Sequence, residues 1–151
     1  TEVQIMKIST KGRYGLRALV DMAANSGEEA VSLTLIAKRQ NLSLSYLEQV
    51  FGMLRKAGIV ASVKGAGGGY RLAKDAAGIT VKEILEALEG EFSIAGTAEG
   101  ETEDAVGQAI RTLVWDEIDR RVNELLKEKT LAGLAKEYRI KQEQSVHMYY
   151  L

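Results

Sequence analysis

The chain has no cysteine, no proline and a single histidine, His147. Without cysteine there is no disulfide framework, and no zinc or iron–sulfur site can be built from thiolates. Without proline, helices must be started by side-chain caps and ended by glycine or by capping residues. A lone histidine near the tail leaves no nucleophile–base pair in view, so nothing in the sequence supports an enzyme. Long apolar runs are absent too: no stretch can span a bilayer, and there is no secretory signal pattern. The expectation is a soluble cytoplasmic protein with no membrane partner. Thr1–Ile5 precede Met6, a native-type start, and TEVQI is read as an appended leader outside the fold.

What is present is 151 residues, 46% apolar and 27% charged, enough for one compact domain and a short second element. The net charge of -1 hides an asymmetry. Residues 6–74 carry eleven Lys/Arg against four Asp/Glu, a surplus of seven positive charges. Residues 91–151 carry eight against twelve, a surplus of four negative ones. A basic first half is what phosphate binding requires.

Residues 43–72, SLSYLEQVFGMLRKAGIVASVKGAGGGYRL, carry the most information. Tyr46, Leu47, Val50, Phe51 and Leu54 recur at helical spacing and point inward. Ser43, Ser45, Glu48, Gln49, Arg55 and Lys56 are left for the helix start and the outer face. After Gly58 the period becomes two: Ile59 to Lys64 is one strand, Tyr70 to Leu72 another, and Gly65–Gly69 the tip. A polar helix followed by a basic hairpin is the sequence form of a winged helix-turn-helix, which can seat a helix in the DNA major groove with a wing beside it. The glycine run is no phosphate loop, because a strand and not a helix follows it.

The rest of the chain fits this frame. Ser9 or Thr10 caps a first helix to about Asn25, with Leu16, Leu19, Val20 and Ala23 inward. Lys11, Arg13 and Arg17 crowd its start, where cations are unfavourable unless anions compensate; DNA phosphates are the expected partner. Ser32 caps a second helix, Leu33 to Gln40, Asn41 and Leu42 turn, and Ser43 caps the third. Thr80 and Glu83 form a capping box for a fourth helix, Val81 to Glu89, stopped by Gly90. Residues 91–108, acidic and rich in Gly and Ala, read as a loop. A long helix from about Gln108 to Lys129 carries Ile110, Val114, Ile118, Val122 and Leu125 as an apolar stripe. Burial is worth ~25 cal/mol per Å², so the stripe needs a cover, and the same helix of a second subunit is the simplest. Thr130 caps a short helix, Leu131 to Tyr138, and the tail VHMYYL is expected to dock. The predicted fold is mainly α: a winged helix-turn-helix domain with a small β-wing over 6–90, a loop over 91–108, and a dimerisation helix with tail over 109–151.

MKISTKGRYGLRALVDMA at 6–23, LSLSYLEQVFGMLRKAGIVASVKGAGGGYRLAKDA at 42–76 and the following ITVKEILEALEG resemble the Rrf-two family of bacterial transcription regulators, over nearly the whole chain. The resemblance implies a homodimer with two winged heads and a crossed pair of long helices. It implies binding to partly palindromic promoter sites in double-stranded DNA, as repressor or activator. It places DNA contacts on Ser43, Ser45, Tyr46 and Gln49 of the recognition helix, on Lys64, Gly65 and Gly67 of the wing, and on Lys11, Arg13 and Tyr14 of the start. Gln49 is the best direct reader, since Gln can bond two atoms of an adenine edge. Glu48, among them, is expected to act as a selectivity filter that accepts only from cytosine N4.

One branch of the family, the iron–sulfur regulators of the IscR type, holds a two-iron, two-sulfur cluster on three cysteines ahead of the long helix. Matching from the helix aromatic, here Trp115, those positions fall on Ala98, Ala105 and Ala109, with Ala95 as reserve. The fourth ligand position, histidine in some members, is Thr112. The expectation is a chain of that branch, controlling iron–sulfur biogenesis genes, whose ligands are alanine and which binds DNA as an apo mimic with no cofactor. The alternative is a naturally cysteine-free regulator of sulfur metabolism of the CymR type, which senses through a partner enzyme; the HMYYL tail fits that branch. A protein-interaction module is the distant third, and would explain the long helix but not the basic head.

Overall fold

A computed structural model describes residues 8–91, 93 and 104–149. Thr1–Ile5, expected above to be a leader, and the positions Ala95 and Ala98 lie outside the described residues. Helix α1 (Thr10–Asn25), α2 (Leu33–Gln40) and α3 (Leu44–Lys56) come first. Strands β1 (Val60–Val63) and β2 (Gly69–Leu72) follow, then a 3-10 turn at Ala76–Gly78 and helix α4 (Val81–Glu89). Each capping residue expected for α1 to α4 does its work: Ser9, Ser32, Ser43 and Thr80 accept from backbone N–H groups, and Thr80 with Glu83 closes a full capping box. The turn of the helix-turn-helix rests on Asn41, at φ 55°, a left-handed conformation that Asn tolerates better than most residues.

The core is built where these helices meet. Leu19 and Met22 of α1, Ile36 of α2, Leu47, Val50, Phe51 and Leu54 of α3, and Ile84 of α4 are fully buried. Tyr46 is half-buried at its edge. Gly15 lets α4 come close: a Cβ there would lie 2.3 Å from Leu88 Cδ1 and 3.3 Å from Val50 Cγ1.

One charge lies at the centre. Asp21 is 0% exposed, on the inner face of α1. Arg39 of α2 donates to it from Nε at 3.1 Å and from Nη2 at 2.5 Å, and Gln40 donates from Nε2 at 2.7 Å. A buried carboxylate is tolerable only when its lone pairs are taken up this way, so the cluster locks α2 to α1.

The β1–β2 pair is antiparallel, Val60 opposite Leu72 through Val63 opposite Gly69. The wing is stapled to the head: Val31 N–H donates to the Tyr70 carbonyl at 2.8 Å, and Tyr70 N–H to the Val31 carbonyl at 2.9 Å. Gly69 makes the staple possible. Its φ is 149°, and a Cβ would fall 2.2 Å from the Val31 carbonyl oxygen. Because Ser32, next to Val31, caps α2, the wing root and the second helix are one unit.

Beyond α4 the structure corrects three expectations. The segment read as loop over 91–108 ends early: α5 (Ala105–Ile110) begins at Ala105 because Asp104 caps it, accepting from Gly107 N–H at 2.8 Å. The long helix is not uniform either. A π-helical turn, Arg111–Trp115, joins α5 to α6 (Asp116–Glu128). The apolar stripe steps by four, four, four and three residues, and in an α-helix of about 3.6 residues per turn each step of four drifts the row by about 40°. A π turn takes up one residue more per turn, which offsets part of that drift. Finally, α7 runs over Leu131–Tyr149, well past Tyr138. Nothing between Leu134 and Tyr149 breaks a helix, and Glu137 pairs with Lys141 one turn on, at 3.5 Å. The stretch Val146–Met148 therefore does not dock on its own protomer; Val146 and Met148 are exposed.

Helix α7 packs along α1, with Leu131 and Ala135 in the core. Arg139 caps the far end of α1, its Nη2 donating to the carbonyls of Ala23 and Ala24 at 3.3 and 3.1 Å. Helix α6 leans on α4. On its exposed side the Glu117 carboxyl is held below the usual carboxylate range by hydrogen bonds from Arg120 and Arg121, and Arg120 is raised in turn by Glu117 and Glu124. No described helix is long and apolar enough to cross a membrane.

Candidate nucleic-acid interface

The cap of α3 determines which side chains this helix can show. Ser43 Oγ accepts from Tyr46 N–H at 3.3 Å and lies 3.1 Å from Ser45 Oγ, so the first serine is spent on the helix and the second is the freer hydroxyl. Ser45, Glu48 and Gln49 are exposed, and their spacing of three and four places them on one face. Glu48 and Gln49 have no hydrogen-bond partner in the described structure. This is the row expected to meet base edges.

Tyr46 plays a different part. Its ring meets Tyr14 of α1 edge to face, centroids 5.9 Å apart at 84°. Tyr46 therefore ties the start of α3 to the start of α1 and is partly a packing residue. The contact brings two of the expected DNA-contacting groups together, since Tyr14 lies beside Arg13 and one turn from Lys11.

At the start of α1, Lys11 and Arg13 are exposed, and Arg13 spends only Nε internally, on the Ile8 carbonyl at 3.1 Å. The anion expected there is supplied in part by the protein itself. One Glu89 carboxylate oxygen accepts the Ser9 N–H at 2.6 Å and the Ser9 hydroxyl. An acid at the C-terminal end of α4 thus compensates the helix dipole and steadies the residues that carry Lys11 and Arg13. Sequence reasoning missed it because the partners lie eighty residues apart.

In the wing, Lys64, Gly65 and Gly67 are exposed at the tip. Gly65 has φ 107° and its carbonyl accepts from Gly68 N–H at 2.9 Å, closing a turn no larger residue would make without strain. Arg17, expected with Lys11 and Arg13 to meet phosphates, lines a trough on the α1 side together with Gln40 and Tyr138, which the candidate contact residues did not include.

The expected dimer stripe lies outside this surface. Ile110, Val114 and Leu125 are 42%, 41% and 52% exposed, while Ile118 and Val122 are half-buried. Ala105 and Ala109 sit one turn apart on the exposed surface of α5, not in a loop. An iron–sulfur cluster does not fit the residues present, because an alanine methyl has no lone pair to give to iron. Among the described residues no three His, Asp or Glu side chains gather as a metal site.

Comparison with known proteins follows the same lines. The model of the Rrf2 family, described as iron-dependent transcriptional regulator, matches residues 8–137. The regulator IscR of Cereibacter sphaeroides is 43% identical over 136 residues, covering 87% of this chain and 88% of that one. The IscR of Vibrio campbellii is 41% identical, covering 87% of this chain and 79% of its own. Among solved structures, CymR, the global cysteine regulator of B. subtilis, superposes with a TM-score of 0.76 at 42% identity, over 88% of this chain and 98% of CymR. The T. potens IscR gives 0.70 at 41%, over 88% of each. With this match over most of its length, and with a winged helix-turn-helix head built as described, the chain belongs to the Rrf2 family of transcriptional regulators.

Proposed function

We propose that the protein is a homodimeric, sequence-specific regulator that reads partly palindromic promoter DNA and belongs to the iron–sulfur-controlling branch, held in a cluster-free form. The observation that carries the DNA reading is the exposed row Ser45, Glu48 and Gln49 on α3, flanked by the cationic start of α1 and the glycine-tipped wing. Gln49 reads a base edge, Glu48 filters against edges that offer no donor, and Lys11, Arg13, Tyr14 and Lys64 set the register on phosphates. Gln49→Ala is expected to flatten discrimination at one base position by roughly 1–3 kcal/mol while leaving random DNA affinity unchanged. Binding to a panel of single-base operator variants measures this, and a panel ranked as before would remove Gln49 as a reader.

The branch is argued from the match of the SYLEQ helix and GAGGGY wing and from alanine at three cluster positions. The reading of a cysteine-free sulfur regulator is favoured by the likeness to CymR. Restoring cysteine at Ala98, Ala105 and Ala109 and reconstituting with iron and sulfide under anaerobic conditions separates the two. Visible absorbance with about two irons per chain is the expected result. A colourless protein would favour the sulfur branch.

A further inference from the structure

Beside the recognition helix lies an open trough of about 510 Å³, lined by Arg13, Tyr14, Arg17 and Val20 of α1, Gln40 of α2 and Tyr138 of α7. Its lining holds two guanidinium groups and no carboxylate. Neither Arg13 nor Arg17 has an acidic partner among the described residues. Arg17 is nonetheless held in place: its Nη1 lies 3.4 Å from Gln40 Oε1, and the Gln40 amide is oriented by its own bond to buried Asp21 at 2.7 Å. That single long contact leaves most of the Arg17 donors unspent. Tyr14 is both a wall of the trough and the ring that meets Tyr46, so one shared side chain links the trough to the first turn of α3. Tyr138 brings a phenol from the C-terminal helix to the same place.

We propose that this trough is a second phosphate seat, in which Arg17 and Tyr138 grip the DNA backbone beside the bases read by α3. The inference rests on the DNA-binding reading above and extends it to the C-terminal helix. A trough open along its length suits a continuous backbone better than a free small anion, which would be held in an enclosed pocket. Arg17 supplies the charge and a planar pair of donors, and Tyr138 supplies a neutral hydroxyl. The contact carries no sequence information, so its effect is uniform across sequences.

The test compares the full chain with Arg17→Ala, Arg17→Lys, Tyr138→Phe and Lys127→Ala, titrating operator and random duplexes at several salt concentrations. Arg17→Ala is expected to lower affinity for both duplexes by the same factor, roughly tenfold, and to reduce the salt slope by about one per bound protomer. Arg17→Lys keeps the slope. Tyr138→Phe weakens both duplexes about threefold with no change of slope. Lys127→Ala, the same charge change on the exposed side of α6, changes neither. Thermal melting of each variant separates a loss of contact from a loss of fold. Operator binding by the parent with affinity and slope unchanged in Arg17→Ala would overturn the phosphate seat alone, as would an equal loss in Lys127→Ala. Failure of the parent to bind any duplex would remove the DNA reading and the seat with it.

Discussion

Replacing Val114 and Ile118 together by Glu is expected to leave a folded monomer that no longer holds a two-half-site operator. In the protomer Val114 is 41% exposed and Ile118 only half-buried, so the protomer itself loses little. In the proposed dimer the two positions face the same stripe of the partner, and a two-fold axis doubles every substitution. Four carboxylates would then be buried without partners, each costing several kcal/mol after relaxation. Affinity for a paired site should fall by roughly 10²–10⁴ as avidity is lost, while affinity for one half-site barely changes. Sedimentation equilibrium and titration of one-site and two-site duplexes measure both quantities. A double variant that remains dimeric would move the interface off this stripe.

The second large effect concerns the head. Arg39→Ala removes two of the three hydrogen bonds to Asp21 and strands a fully buried carboxylate on Gln40 alone. Breaking a buried pair from one side costs about 3–5 kcal/mol. For a chain of this size that corresponds to a fall in Tm of roughly 10 °C. Asp21→Asn added to Arg39→Ala should recover a large part, because a neutral amide is far cheaper to bury than an unpaired carboxylate. Calorimetric melting of the two single variants and the double completes the cycle. If Arg39→Ala melts with the parent, the cluster contributes little to joining α2 to α1. Because Gln40 also steadies Arg17, the same variants should weaken duplex binding in proportion to the loss of fold.

The first ninety residues were legible because their signals are local. A serine or threonine at each helix start, an Asn in the turn, and a change of period after Gly58 fixed elements within a residue or two. The capping box at Thr80 and Glu83 and the inward set on α3 are of the same kind. What the sequence hid is long-range or depends on balance. Glu89 at the start of α1 and Arg139 at its end each join residues far apart in the chain. Asp21 reads as a polar interruption of an apolar stripe until Arg39 and Gln40 are seen to close around it. The start of α5 was misplaced because the acidic, glycine-rich composition of 91–108 outweighed one capping Asp104. The end of α7 was misplaced because an alternating, aromatic tail suggested docking where a run of good helix formers continued. The exposed face of Ser45, Glu48 and Gln49 follows from the spacing of the inward set on α3, whereas the trough beside it required α7 to be placed against α1.

The most direct test of the whole account is the salt dependence of operator binding by the intact protein. Two basic heads neutralising roughly six to ten phosphates should lose about 10³–10⁵ in affinity between 50 and 200 mM salt, with a linear log–log slope. Affinity that ignores salt, or no binding to any double-stranded fragment at low ionic strength, would contradict it.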